Sequence, residues 1–148
     1  MDRPSRSPLT RFKRLHLTSR AALDRSLATD GLSAAQSAVL RLLKDDPGLT
    51  GAELARRSSV TAPSMNEMLA MLSRDGYVTR LPDPRGGRAI KLFISAAGRA
   101  ALAKGAPAVA SVYLQLLDGI DEARLADFFE VVEVIADRAE AYGKVPAP

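Results

Sequence analysis

Between Thr61 and Arg74 the chain sets hydroxyls, an amide and a carboxylate at spacings that one helix would bring to one side. Met65, Met68, Leu69 and Leu72 recur at i, i+3, i+4 and i+7 and form an inward stripe. The opposite side then carries Pro63, Asn66, Glu67, Ala70 and Arg74, with Ala62 in the first turn. Its N-terminal end is small and polar, as a helix entering the major groove requires. An Asn pairs with adenine N6 and N7, and a Glu accepts from cytosine N4. Thr61 and Ser64 sit where hydroxyls can donate to phosphate, helped by the positive end of the helix. A little further on, Arg85, Arg88 and Lys91 lie in or beside the stretch Pro82-Asp83-Pro84-Arg85-Gly86-Gly87-Arg88, which is turn chemistry. A basic tip beside a recognition helix reaches the adjacent minor groove, where narrow A·T tracts concentrate negative potential. Taken singly, these residues also fit a solvated helix face or an ordinary exposed turn. Their ordered combination is much rarer.

Other chemistries are poorly served. The chain has no cysteine and one histidine, which excludes a disulfide framework, a thiol nucleophile, cysteine-ligated zinc and a multi-histidine metal site within one subunit. It holds no phosphate-binding loop and no nucleophile–base set. We therefore expect a protein that is not an enzyme and uses no cofactor or metal.

The elements that must position the polar face are legible as an ordered series. A first helix runs from Leu9 through Phe12, His16, Leu23 and Leu27 to Asp30-Gly31. Ser33 with Gln36, and Thr50 with Glu53, are capping boxes that open two more helices. Thr61 caps the helix at 62–75, whose first turn tolerates Pro63 and which Gly76 ends. The period then changes: residues 77–81 and 89–94 alternate as two strands of a hairpin around the basic tip. Ser95 opens a further helix, and Gly105 and Pro107 predict a kink or break within it. A last helix spans about 121–142, and its apolar stripe is wider than one small core needs. The fold class expected is mostly α with a small β-hairpin: a helix-turn-helix followed by a wing.

With 148 residues, 47% hydrophobic and 26% charged, the chain is long enough for one folded domain with a real core. Only 5% of residues are aromatic, so that core must be aliphatic. Charge is segregated. Residues 1–20 hold six basic side chains against one acid, and 41–104 hold eleven against six. Residues 118–140 reverse this, with eight acidic against two basic. A basic middle and an acidic end suggest a body that faces a polyanion and a segment that faces elsewhere. No run approaches the roughly 20 apolar residues of a membrane span, and no apolar signal core follows the basic N-terminus. A cytoplasmic protein without membrane contact is expected.

Residues 32–98 resemble the core of the MarR family of bacterial transcriptional regulators. The resemblance rests on Leu32-Ser33-Ala34-Ala35-Gln36-Ser37-Ala38-Val39-Leu40-Arg41 and Leu54-Ala55-Arg56-Arg57-Ser58. It continues through Leu72-Ser73-Arg74-Asp75-Gly76-Tyr77-Val78, the wing Asp83-Pro84-Arg85-Gly86-Gly87-Arg88, and Ile94-Ser95-Ala96-Ala97-Gly98. Residues 1–8, with two prolines, two serines and three charges, are read as a flexible basic arm; the resemblance implies a winged helix-turn-helix DNA-binding domain at 32–95 and a helical dimerisation region at 9–30 and 96–148. It implies a homodimer on a pseudo-palindromic operator in double-stranded DNA, acting as a repressor. Control by a small aromatic or anionic ligand is implied too, with His16 and Arg20, one turn apart, as candidates for its pocket. Two departures matter. Gly86 and Gly87 stand where the wing usually has an acidic and a further basic residue, so the tip is expected to be floppier and Arg88 to lack an orienting Asp. Glu67 stands where a basic residue is usual, so operator preference does not carry over. Lack of cysteine excludes the family's thiol-oxidation sensors. The alternative reading is a winged-helix module that binds protein rather than DNA, motivated by Glu67 and the glycine-softened wing.

Overall fold

The computed structural model describes residues 7–143. Six helices and one hairpin follow in the order α1 (Pro8–Leu27), α2 (Ala34–Asp45), α3 (Gly51–Arg57), α4 (Ala62–Arg74), β1 (Val78–Pro82), β2 (Ile90–Ile94), α5 (Ala96–Leu117) and α6 (Glu122–Gly143). This is the expected winged helix with flanking helices. Residues 1–6 of the expected arm and 144–148 of the expected C-terminal region lie outside the described residues. Of the remaining arm, Pro8 already belongs to α1, where its fixed φ suits a first turn.

The chain divides into two compact units at Val112. In the first, the core is Leu32, Val39, Leu40, Leu43, Leu49, Leu54, Ala55, Met65, Leu69, Leu72, Val78, Leu92 and Ile94. It is aliphatic throughout, as the scarcity of aromatics required. Both expected capping boxes form. The Ser33 hydroxyl accepts from the Gln36 N–H while Gln36 accepts from the Ser33 N–H. Thr50 and Glu53 make the reciprocal pair at α3. The strands pair antiparallel with Arg80 opposite Leu92. One pairing has no signal in the sequence pattern: Leu49, just before α3, bridges to Leu92 on β2. The Leu92 N–H donates to the Leu49 carbonyl at 3.0 Å, and the Gly48 N–H donates to the Leu92 carbonyl at 2.9 Å. This stitches the helix-turn-helix to the wing.

The junction of hairpin and α5 explains the Ser95-Ala96-Ala97-Gly98 motif. The Ser95 hydroxyl accepts from the Gly98 N–H at 3.0 Å and donates to the Gly76 carbonyl at 2.6 Å. A Cβ at position 98 would collide with the Tyr77 carbonyl oxygen, so only glycine lets α5 pass this close. Of the kink or break expected near Gly105 and Pro107, the break does not occur: α5 runs from Ala96 to Leu117 with Pro107 inside it. Gly105 is a packing glycine instead: a Cβ there would meet Leu27 Cδ2 of α1 at 2.8 Å. The Ser26 hydroxyl also donates to the Ala108 carbonyl at 3.3 Å. By length and composition α5 is apolar enough to cross a bilayer, which the sequence reading missed because alanine raises its hydropathy without bulk. Such a helix alone is weak evidence for a membrane, and its buried residues Gly98, Gly105 and Val109 mark a packed side.

The second unit comprises the end of α5 and α6. Along α6 the side chains are almost all exposed, with Leu125 and Val132 partly covered. Phe128 and Phe129 meet edge to face with centroids 5.5 Å apart.

Candidate nucleic-acid interface

The α4 helix turns out as its spacing demands. Met65, Leu69 and Leu72 are buried and Met68 is partly so. Ala62, Pro63, Ser64, Asn66, Glu67, Ala70 and Arg74 are all exposed. At its start the Thr61 hydroxyl accepts from the Ser64 N–H at 3.3 Å and donates to the Ser64 hydroxyl at 3.0 Å. Both oxygens are exposed; the Ser64 hydroxyl keeps its proton for a phosphate, while the Thr61 proton is given to Ser64. Met71 is exposed on the same side, one turn from Glu67 and three residues from Arg74. The sequence reading had left it out, because Met in a helix is ordinarily counted as core. An apolar side chain there suits a thymine methyl.

The turn before α4 is tight. Ser59 takes φ +52, a left-handed conformation that a non-glycine residue adopts at a cost. Beside it the Ser58 hydroxyl is buried without a hydrogen-bond partner. Behind α4, the Arg80 guanidinium on β1 donates to the Ser73 hydroxyl at 3.0 Å, tying the helix to the hairpin.

The wing tip is tied together by hydrogen bonds centred on Asp83. The Asp83 side chain is only 8% exposed. It accepts from the Arg85 backbone N–H at 3.0 Å, and from that residue's Nε at 3.2 Å and Nη2 at 3.1 Å. The Asp83 N–H donates to the Ala89 carbonyl, and the Gly86 N–H donates to the Asp83 carbonyl, closing the tip. Gly86 and Gly87 have φ +88 and +96 with open space around them, so they supply a left-handed turn. Asp83 thus holds Arg85 in a bidentate grip, a contact that the wing sequence alone did not disclose. Arg88 is exposed and has no ion-pair partner among the described residues.

Lys91 is arranged differently from the other basic residues. Its side chain is 18% exposed and its Nζ lies 4.0 Å from Asp83 Oδ2. The Arg85 side-chain hydrogen bond, then its backbone N–H, with Lys91 nearby, hold the Asp83 carboxyl below the usual range. The same contact raises the Arg85 guanidinium. Glu53, on α3, is lowered by the Thr50 backbone N–H and hydroxyl, with Lys91 and Arg57 as further cations. Lys91 thus acts electrostatically on both Asp83 and Glu53.

The two residues considered for an effector pocket lie on α1. His16 and Arg20 are both exposed, and Arg20 Nε is 3.8 Å from Asp24 Oδ2. Asp24 also accepts from the Ala34 N–H at 2.7 Å, so it joins α1 to the start of α2.

Comparison with known proteins follows this geometry. A sequence profile described as MarR family matches residues 30–89. The HTH-type transcriptional repressor Rv2887 of Mycobacterium tuberculosis is 41% identical over 90 residues, which is 61% of this chain and 64% of that protein. The chain thus matches somewhat under two thirds of the length of its mycobacterial relatives. The HTH-type transcriptional repressor YetL of Bacillus subtilis is 32% identical over 124 residues, covering 78% of this chain and 74% of its own. Among solved structures, the transcriptional repressor CouR bound to a 23-mer DNA duplex superposes with a TM-score of 0.79 at 26% identity, over 88% of this chain and 92% of that one. Rv2887 in complex with salicylic acid superposes with a TM-score of 0.70 at 27% identity, over 88% and 97%.

Proposed function

The chain belongs to the MarR family, and from that premise we propose that it is a homodimeric, sequence-specific DNA-binding repressor of transcription that acts in the cytoplasm and has no catalytic role. One observation carries this reading. The polar, small-residue side of α4 is exposed while its Met65/Leu69/Leu72 side is buried, and the hairpin that follows carries a clamped arginine at its tip. In the proposed mode α4 lies in the major groove. Thr61 and Ser64 meet phosphate, and Asn66 and Glu67 read base edges, with Ala62, Pro63 and Ala70 allowing close approach. Arg74 contacts the backbone. Arg85 and Arg88 enter the neighbouring minor groove, and Lys91 supports the wing through Asp83. The likeness to two transcriptional repressors and to the DNA-bound CouR supports this assignment.

Salicylic acid in the Rv2887 structure supports control by a small aromatic anion. Arg20 and His16 on α1 are the groups we assign to it, and Arg20 would exchange its contact with Asp24 for the ligand carboxylate. The test is a footprint of the purified protein on the DNA upstream of its own gene, repeated at two salt concentrations. A protected pseudo-palindrome is expected. Sequence-independent binding alone would overturn the reading, and a stoichiometric protein partner with no DNA shift would favour the winged-helix interaction module.

A further inference from the structure

One large side chain exposed on the reading side of α4 is apolar. Met65 is fully buried and Met68 packs against the core, but Met71 is 40% exposed. Ser64, Glu67, Met71 and Arg74 follow one another at three- and four-residue intervals, so they line one side of the helix. All four are exposed. Met71 thus stands between Glu67, a carboxylate able to read a base edge, and Arg74, whose charge suits the phosphate backbone. Its carbonyl is already taken by the Asp75 N–H at 2.9 Å, so what it offers outward is the thioether side chain. A thioether is polarizable, adapts its shape and is only a weak acceptor. It answers none of the donors and acceptors that mark guanine, cytosine and adenine in the major groove, whereas thymine alone presents a methyl group there.

We propose that Met71 is a specificity-determining residue that reads a thymine: its side chain packs on the C5-methyl group, within about two base pairs of the pair that Glu67 reads. The spacing follows from geometry. Four residues of α-helix advance about 6 Å, and successive bases of one strand lie about 3.4 Å apart. Glu67, as an acceptor, selects cytosine, so the two side chains together specify a cytosine and a thymine in each half-site. This inference rests on the reading above, in which α4 lies in the major groove, and adds to it a base that the polar residues do not select.

The test uses the full-length protein and a duplex that it selects from a random-sequence library. Each thymidine of that duplex is replaced in turn by deoxyuridine, which removes the methyl group and keeps every hydrogen-bonding atom, and affinity is measured by titration. One thymine per half-site is expected to be sensitive, with affinity about fourfold lower in uracil, the factor that burial of one methyl group carries. It should lie within about two base pairs of the position that Glu67→Gln relaxes. Met71→Ala should bind the thymine duplex about fourfold more weakly than the native protein and no longer distinguish thymine from uracil at that position. Met71→Leu, still apolar, should keep the distinction, and Met71→Gln, similar in length but polar, should lose it. The uracil scan of the native protein needs no variant: indifference to uracil at every position would overturn the proposal. So would a uracil penalty that Met71→Ala leaves unchanged. Either result leaves DNA binding itself standing, whereas a library from which no sequence is enriched would overturn the DNA-binding reading and this inference with it.

Discussion

At the scale of single residues, the wing depends on Asp83. A neutral amide at this position cannot grip a guanidinium with two acceptor oxygens. Asp83→Asn should therefore weaken operator binding about as much as Arg85→Ala, and the double variant should lose little more than either, because the two act as one unit. Additive losses in a binding titration would show that Arg85 finds DNA without Asp83. The pH dependence follows from the lowered Asp83 carboxyl. A carboxylate whose folded value is depressed contributes order that is fully present above its ordinary range and is lost as pH falls through the folded value. Nuclear magnetic resonance titration should therefore find Asp83 ionised at a pH where an ordinary aspartate is already protonating, and the wing unchanged between pH 5 and pH 8. A midpoint at or above the ordinary value would contradict the clamp. Arg88 has no such partner, so Arg88→Ala should lower affinity and reduce the salt slope by about one unit. An unchanged slope would mean that Arg88 does not touch DNA. Glu67→Gln should relax preference at one base pair by about tenfold, read by binding to single-base operator variants.

Elements were legible where their signals are local and periodic. The two capping boxes, the Met65/Leu69/Leu72 stripe and the alternation of the strands each lie within a few residues, and each formed. What the sequence did not disclose depends on distant neighbours. The Leu49–Leu92 bridge is a single residue pair and has no period. Gly105 looks like a helix breaker until Leu27 of α1 is beside it. Lys91 looks like a free cation until the hairpin turns it toward Asp83. Of the candidate site, the exposed side of α4 was read almost whole, and Met71 was missed because exposure cannot be seen in a residue type. The turn between α3 and α4 tests the element directly. Ser59 stands at φ +52, so Ser59→Gly should raise stability by up to about 1 kcal/mol in chemical denaturation, by removing left-handed strain. A loss of stability would show that the Ser59 side chain holds the turn. Gly98→Ala should act in the opposite sense, since its methyl group would meet the Tyr77 carbonyl. Met65→Ala should cost about 2–5 kcal/mol through the cavity it leaves in the core.

For the whole molecule, the proposed repression would need two α4 helices to reach half-sites about 34 Å apart, one turn of the duplex. A ligand alters that only if it prefers one spacing of the two heads over another. Assigning a small aromatic anion to Arg20 makes α1 the place where this preference arises, because Asp24 links α1 to the start of α2, which leads into the helix-turn-helix. Linkage then demands reciprocity: whatever factor salicylate takes from operator affinity, operator must take from salicylate affinity. A coupling of about 1–3 kcal/mol, or roughly 5- to 150-fold, is the expected size. Calorimetry of salicylate binding with and without saturating operator measures one side of the cycle, and operator titration with and without saturating salicylate measures the other. Arg20→Ala should abolish both changes while leaving operator binding in the absence of salicylate intact. Salicylate that binds equally well to the free and the operator-bound protein would remove ligand control from this site. An Arg20→Ala protein that keeps the full coupling would move the anion to other residues.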